Sequence, residues 1–257
     1  MFISKPKLIL SLACLFCSQL SVAEEWHMQV GGGVLNATRP YTQMDDITSF
    51  VPYFSAQYGN WNFGAGNGVV SYNFNQMPFD LSVGIGYRDE TYDSDEIYQT
   101  DLSDAAVFTG YEDGEGDVVA NITLGWNHFS FTAEQDISDH SGGLTLDASY
   151  MPVLYRGDKG AQFAIGAGIK WQNSNYTDYL YGIHGDNIAA QYGRNEYSAG
   201  SATNPYLAAR FIYPVSKQLN LIAMAKLESL DDSIENSPLV DDNKSRSVAL
   251  LLSYNWF

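Results

Sequence analysis

Hydrophobic and polar residues alternate one for one over most of this chain. Phe79, Leu81, Val83, Ile85 and Tyr87 interleave with Asp80, Ser82, Gly84, Gly86 and Arg88. Val118, Ala120, Ile122, Leu124 and Trp126 do the same with Val119, Asn121, Thr123 and Gly125. The rhythm returns with Phe163, Ile165, Ala167, Ile169 and Trp171, and with Leu219, Leu221, Ala223, Ala225 and Leu227. It ends on Val248, Leu250, Leu252, Tyr254 and Trp256. Successive side chains of a strand point to opposite faces, so a period of two predicts strands with one apolar face. Past residue 23 no apolar run approaches the ~20 residues that a membrane helix needs.

A soluble sandwich would alternate in the same way, with its apolar face turned to the core. Three features predict a membrane barrel instead. The apolar stretches run to roughly ten residues, the length with which a tilted strand crosses a bilayer. Aromatics stand at strand ends, and Trp26, Trp61, Trp126, Trp171 and Trp256 form the expected interfacial girdle. The last residues, Tyr254-Asn255-Trp256-Phe257, resemble the aromatic C-terminal signal of outer-membrane barrels. The expected fold class is therefore all-β: a transmembrane antiparallel up-and-down β-barrel, in contact with outer-membrane lipid.

Connections alternate between long (37–47, 92–114, 175–199, 229–244) and short (76–78, 126–128, 156–160, 214–217). Outer-membrane barrels show this pattern of extracellular loops and periplasmic turns. A first count gives eleven strands, which would put long loops on the periplasmic side. A hairpin turn at Ala65-Gly66-Asn67-Gly68 divides 60–75 and restores parity with twelve strands; ten is the alternative. On the twelve-strand map Trp26, Trp61, Trp126 and Trp256 share the periplasmic end.

Composition narrows the classes further. Of 257 residues 45% are apolar and 17% charged, below the ~25% charge usual in soluble domains. The mean hydropathy of −0.19 is too low for a bundle of membrane helices. Thirteen bases against thirty acids give a net charge of −17, which excludes nucleic acid as a partner because phosphates would repel it. Eighteen Tyr and thirteen Phe exclude disorder. Lys5 and Lys7 precede an apolar run at 8–16, and Ser21-Val22-Ala23 reads as a cleavage site. Residues 1–23 are thus expected to be a signal peptide, and 24–257 the outer-membrane barrel. The apolar run is too short for an uncleaved anchor. Both cysteines, Cys14 and Cys17, fall in the leader, so the mature chain would have no disulfide.

Several segments resemble the MltA-interacting protein (MipA/OmpV) family. Tyr176-Thr177-Asp178-Tyr179-Leu180-Tyr181-Gly182-Ile183 is similar to a tyrosine-rich stretch of that family, and Tyr197-Ser198-Ala199-Gly200 follows at suitable spacing. Leu227-Glu228-Ser229-Leu230-Asp231-Asp232-Ser233, then Ser237-Pro238-Leu239-Val240, resembles a family loop. Leu252-Ser253-Tyr254-Asn255-Trp256 resembles its end, with weaker echoes at Pro52-Tyr53 and Gly86-Tyr87-Arg88. The resemblance implies an outer-membrane scaffold for murein synthesis that bridges a lytic transglycosylase and a penicillin-binding protein. Other members look like adhesins or proteins of osmotic response and antibiotic entry.

The polar strand faces carry Asp80, Arg88, Glu134, Asp136, Asp147, Lys170, Arg210, Lys226 and Glu228. Charges in a narrow lumen need partners, so the mixed signs of Arg88, Glu134, Lys170, Arg210, Lys226 and Glu228 predict an internal ion-pair network; a conducting pore is the alternative. From Asp89 to Asp117 there are eleven acids and no base, expected as a solvated outer loop or a cation-collecting surface, without calcium-loop spacing. Tyr176, Tyr179 and Tyr181 read either as an interfacial belt with loop packing or as a rigid surface for a partner. Together with Asp178, Gly182, Asp231, Asp232, Ser237 and Pro238 they are the candidate partner residues. Their loops face outward on this map, whereas murein enzymes lie in the periplasm. Contacts to those enzymes would come from the short turns, from 24–27 or from the barrel mouth. His27 and His128 fall at the periplasmic rim and His140 beside Asp139 and Ser141. His184 near Asp178 and Asp186 has no second histidine at ligand spacing. No catalytic residue, metal or cofactor is expected: the chain is read as acting by binding, with a porin-like channel or an adhesin as alternatives.

Overall fold

Each alternating stretch becomes a strand. The computed structural model describes residues 25–256 apart from 39, 43, 45, 65–67, 75–77, 93–105 and 158; the expected signal peptide, both cysteines and Phe257 lie outside the described residues. In chain order the strands are β1 (His27–Ala37), β2 (Ile47–Tyr58), β3 (Trp61–Gly64), β4 (Val70–Phe74), β5 (Asp80–Arg88), β6 (Asp117–Trp126) and β7 (Phe129–Asp136). Then follow β8 (Leu144–Tyr150), β9 (Val153–Arg156), β10 (Gln162–Gln172), β11 (Ala202–Pro214), β12 (Leu219–Ser229) and β13 (Lys244–Asn255). β8 and β9 both pair with β10, with a register shift at Phe163/Ala164. Pro152, which has no N–H to donate, sits between them, so they are two halves of one wall strand. That makes twelve strands, all antiparallel, and β13 returns to β1 from Gln29↔Asn255 to Ala37↔Ser247. Closure removes the free edges that lipid would not tolerate.

The predicted faces hold. Val34, Val83, Ile85, Ile122, Phe131, Leu207, Val248 and Leu252 all stand exposed on the outer wall, where lipid replaces a protein interior. No described helix is long and apolar enough to cross a membrane. Trp26, Trp61, Trp126 and Trp256 are exposed at the end with the shortest turns, Gly59-Asn60 and Asn127-His128. Trp171 stands at the opposite end of β10 and is half-buried.

One expectation needs correcting. The hairpin divides where predicted: Gly64 N–H donates to the Val69 carbonyl at 2.9 Å, and Gly68 turns with φ +105°. Its two strands, however, have 4 and 5 residues, not the roughly ten that cross a bilayer. Beside this hairpin the ladder reaches only half-height.

Two short helices lie in the long outer connections, α1 (Ser174–Tyr181) and α2 (Asp232–Glu235).

Candidate functional site

The outer loops fold inward and close the barrel. Asn173 caps α1, its side-chain oxygen accepting from the Tyr176 amide and from the Leu144 amide, each at 3.0 Å. The helix ends at Gly182, where a Cβ would lie 2.4 Å from the Asp178 carbonyl oxygen, so only glycine fits. Tyr176, Thr177, Leu180 and Tyr181 share one buried side of α1. Tyr176, Leu180 and Tyr181 pack with Tyr41, Tyr92, Phe108, Ile183, Ile234 and Leu239 into an apolar cluster. Its rings interlock: Tyr92 stacks on Phe108 at 4.4 Å, and Tyr41 meets Phe108 edge-on at 6.0 Å.

Polar groups fasten this lid. Ser237 Oγ donates to the Tyr181 carbonyl at 2.6 Å, so the two segments that carry the family resemblance meet here. Tyr197 Oη donates to the Ser233 carbonyl at 2.8 Å. Asp231 caps α2 and also accepts from the Thr203 amide at 3.0 Å. Burial would raise the Asp231 pKa, but the Ser233 amide and hydroxyl and the Thr203 amide hold it below its ordinary value. Arg194 is fully buried and donates to the carbonyls of Asn187 (2.8 Å), Thr109 (3.0 Å) and Val107, binding the loop after β5 to the loop after β10.

Of the two readings of the tyrosines, loop packing or a surface for a partner, Tyr176 and Tyr181 take the first here, because both rings are buried in the lid core. Tyr179 is half-buried, with its hydroxyl donating to the Glu115 carbonyl at 3.0 Å. Asp178 Oδ1 accepts from the Ala199 amide at 2.7 Å, and its Oδ2 meets His184 Nε2 at 2.8 Å. Gly182 is buried, Asp232 is exposed and Pro238 is half-buried. His140 Nδ1 lies 2.8 Å from the Gly116 carbonyl, which with the acids around it raises the imidazole pKa. The described residues contain no group of three side chains suited to a metal ion.

The lumen charges divide by height. Arg88 pairs with Asp117 at 2.8 Å and lies 3.6 Å from Glu134, while its guanidinium covers the Tyr176 ring at 3.8 Å. Lys226 pairs with Glu228 at 2.6 Å. Lys170 pairs at 2.9 Å with Glu90, which reaches down from the acidic loop and also accepts from Tyr176 Oη at 2.9 Å. Burial would raise the Glu90 pKa, but Lys170, Tyr176 and Arg88 outweigh it and lower it to about 2. Burial and the Glu90 charge push the Tyr176 and Tyr181 hydroxyls up, and burial takes Tyr111 to about 12. Two corrections follow. Asp117 is buried in its ion pair and Glu90, though still 44% exposed, pairs with Lys170 instead of standing free in the loop, and Arg210 takes part in no ion pair among the described residues. The network fills the outer half alone. Sequence reasoning also passed over Tyr41, Arg194 and Asn173.

The other end is built differently. Asp80 and Arg210 face the lumen there and are exposed, and inward-facing Met224 beside Arg210 is exposed as well. Its connections are too short to fold over the opening. Two of them adjoin, since a Cβ on Gly160 would lie 3.5 Å from the Pro214 ring. They carry the exposed bases Arg156, Lys159 and Lys217.

Fold and site together define an outer-membrane β-barrel stoppered at its outer end, with an accessible periplasmic mouth. The chain belongs to the MipA family: the family model described as MltA-interacting protein MipA matches residues 30–256. It is 24% identical to the MltA-interacting protein of Escherichia coli K12 over 255 residues, covering 96% of this chain and 98% of that one. It is also 26% identical to the outer membrane protein OmpV of Vibrio cholerae over 137 residues, covering 53% and 52%. The putative outer membrane protein YiaT of Escherichia coli K12 matches at 28% over 131 residues, covering 51% and 52%. The chain is thus an outer-membrane protein of this family.

Proposed function

We propose that this protein is a binding scaffold of the cell envelope that holds a lytic transglycosylase at the periplasmic mouth of its barrel. The name of the Escherichia coli relative supports a partner of that kind. The observation that carries the reading is the asymmetry of the two ends. The described parts of the long connections are spent on the outer lid. What remains for a periplasmic partner is the open mouth with Arg210 and the adjoining turns with Arg156, Lys159 and Lys217. These bases stand out in a chain of net charge −17 and suit an acidic patch on a partner. A penicillin-binding protein as second partner follows the family resemblance. Binding, not catalysis, is the role proposed.

The test is capture of a purified lytic transglycosylase by the mature protein in detergent, and again by a chain carrying R156Q, K159Q and K217Q. Binding that falls about tenfold or more in the variant supports the reading, since each tenfold is about 1.4 kcal/mol. No capture by the unaltered chain overturns it.

A further inference from the structure

Two buried polar groups under the lid find no partner among the described residues. A cavity of about 220 Å³ lies there, walled by Lys170 and Gln172 of β10, Asn204 of β11, Glu228 of β12 and Tyr181 of α1. One backbone donor fixes the direction of its amides. The Asp231 amide donates to Asn204 Oδ1 at 2.9 Å, so Asn204 turns its nitrogen away and donates from it to Gln172 Oε1 at 3.4 Å. That contact takes the oxygen of Gln172 and leaves the N–H groups of its Nε2 without an acceptor among the described residues. Gln172 is 2% exposed, so those groups have the cavity before them and not bulk water. Tyr181 repeats the situation. It is 7% exposed, and its hydroxyl bonds to no described residue. Buried polar groups are nearly always paired, so these two point to a molecule that pairs with them.

The rest of the wall says what kind of molecule. Glu228 meets Lys226 through Oε2 at 2.6 Å, which leaves Oε1 to accept. Lys170 is spent on both oxygens of Glu90, at 2.9 and 3.1 Å. Tyr41 and Leu230 supply the apolar side. An anion would be repelled by Glu90 and Glu228, while a cation would offer Gln172 no acceptor and would stand beside Lys170. A hydroxyl group meets both demands, accepting from Gln172 or Tyr181 and donating to Glu228. Groups on three separate walls call for several hydroxyls on one small skeleton, whose C–H face lies on Tyr41. The volume falls below the ~300 Å³ at which pockets for drug-sized ligands begin, and so suits a single sugar ring. Lumen-facing Tyr206, Ala208 and Arg210 lead from the cavity down to the open mouth, which is the way in.

We propose that this cavity binds an uncharged polyhydroxyl molecule of the size of one sugar ring, held by Gln172, Tyr181 and Glu228. The test is saturation-transfer NMR on the mature chain folded in an amine-oxide detergent, which carries no sugar of its own. The probes are glucose, xylitol, glucosamine and glucuronate. Glucose or xylitol is expected to bind saturably, and about tenfold more tightly than the cationic or the anionic sugar. Tyr181→Phe removes one oxygen that bonds to nothing else in the described chain, so barrel and lid should keep their fold. It should weaken glucose binding about tenfold, or about 1.4 kcal/mol, and Gln172→Met should do the same. Tyr254→Phe, on the lipid face, should leave binding unchanged. Should Gln172→Met not fold, Tyr181→Phe alone decides. Absence of saturable binding by both neutral probes overturns the proposal, since the cavity would then hold water alone. Glucose affinity unchanged in Tyr181→Phe also overturns it, as does tighter binding of glucosamine or glucuronate.

Discussion

At the outer end, Tyr176, Tyr181, Ile183 and Leu239 bury their side chains against one another above three ion pairs. At the periplasmic end, Asp80 and Arg210 stand exposed inside the same wall. Long strands such as β1, β10, β11, β12 and β13 run from one end to the other, so strand chemistry does not make the difference. Connection length does. A loop of about ten residues or more can carry apolar groups and cap its own backbone, whereas a two-residue turn has nothing left to fold. The lid is in effect a small soluble core mounted on a membrane wall. The charges beneath it are held in fixed pairs, and those below stay available to water and partners.

The largest effect should come from cutting one charge at each end. Arg88→Leu strands Asp117 in a buried site and should cost about 3–5 kcal/mol, measured as the unfolding midpoint of the barrel in detergent. Arg210→Leu changes the same charge at the open end and should stay within about 0.5 kcal/mol. Equal losses would erase the distinction between the two halves. Next, Leu239→Ala should destabilise the lid by about 2–5 kcal/mol while the heat-modifiable barrel persists. Conductance across planar bilayers should then appear, and a silent variant would mean that something other than this core closes the lumen. Arg194→Met leaves the carbonyls of Asn187 and Thr109 without their donor and should cost about 1–3 kcal/mol, with protease access to the lid rising.

The smallest effect concerns acidity. Glu90 has a folded pKa of about 2 against an ordinary 4.5, so its contribution is complete above about 4.5 and fades as pH falls toward 2. Near-ultraviolet dichroism of the lid tyrosines should weaken over that window. In Glu90→Gln the window should vanish, and a change that persisted would assign the acid response to another group.

Much of this was legible beforehand. Val83, Ile122 and Leu252 declared the lipid face because each needs nothing but its neighbours two positions away. Gly68 declared the hairpin turn through its conformational freedom, and that restored twelve-strand parity. The tyrosines of α1 were read as loop residues because Tyr176 through Tyr181 hold no period of two and too few residues for a helical period to stand out. Glu90 was read as one acid among eleven, since nothing in 89–117 marks which carboxylate turns inward.

By itself, then, the sequence determined the strand rhythm, the inner and outer faces and the family, because lipid is a uniform solvent and sorts side chains by local pattern alone. The tertiary structure decided that β3 and β4 stop at half-height, that Glu90 pairs with Lys170 80 residues away, and that the family motifs dock on each other at Ser237 and Tyr181, 56 residues apart. Those outcomes depend on which groups closure of the barrel brings within hydrogen-bond reach, and separation along the chain carries no trace of it.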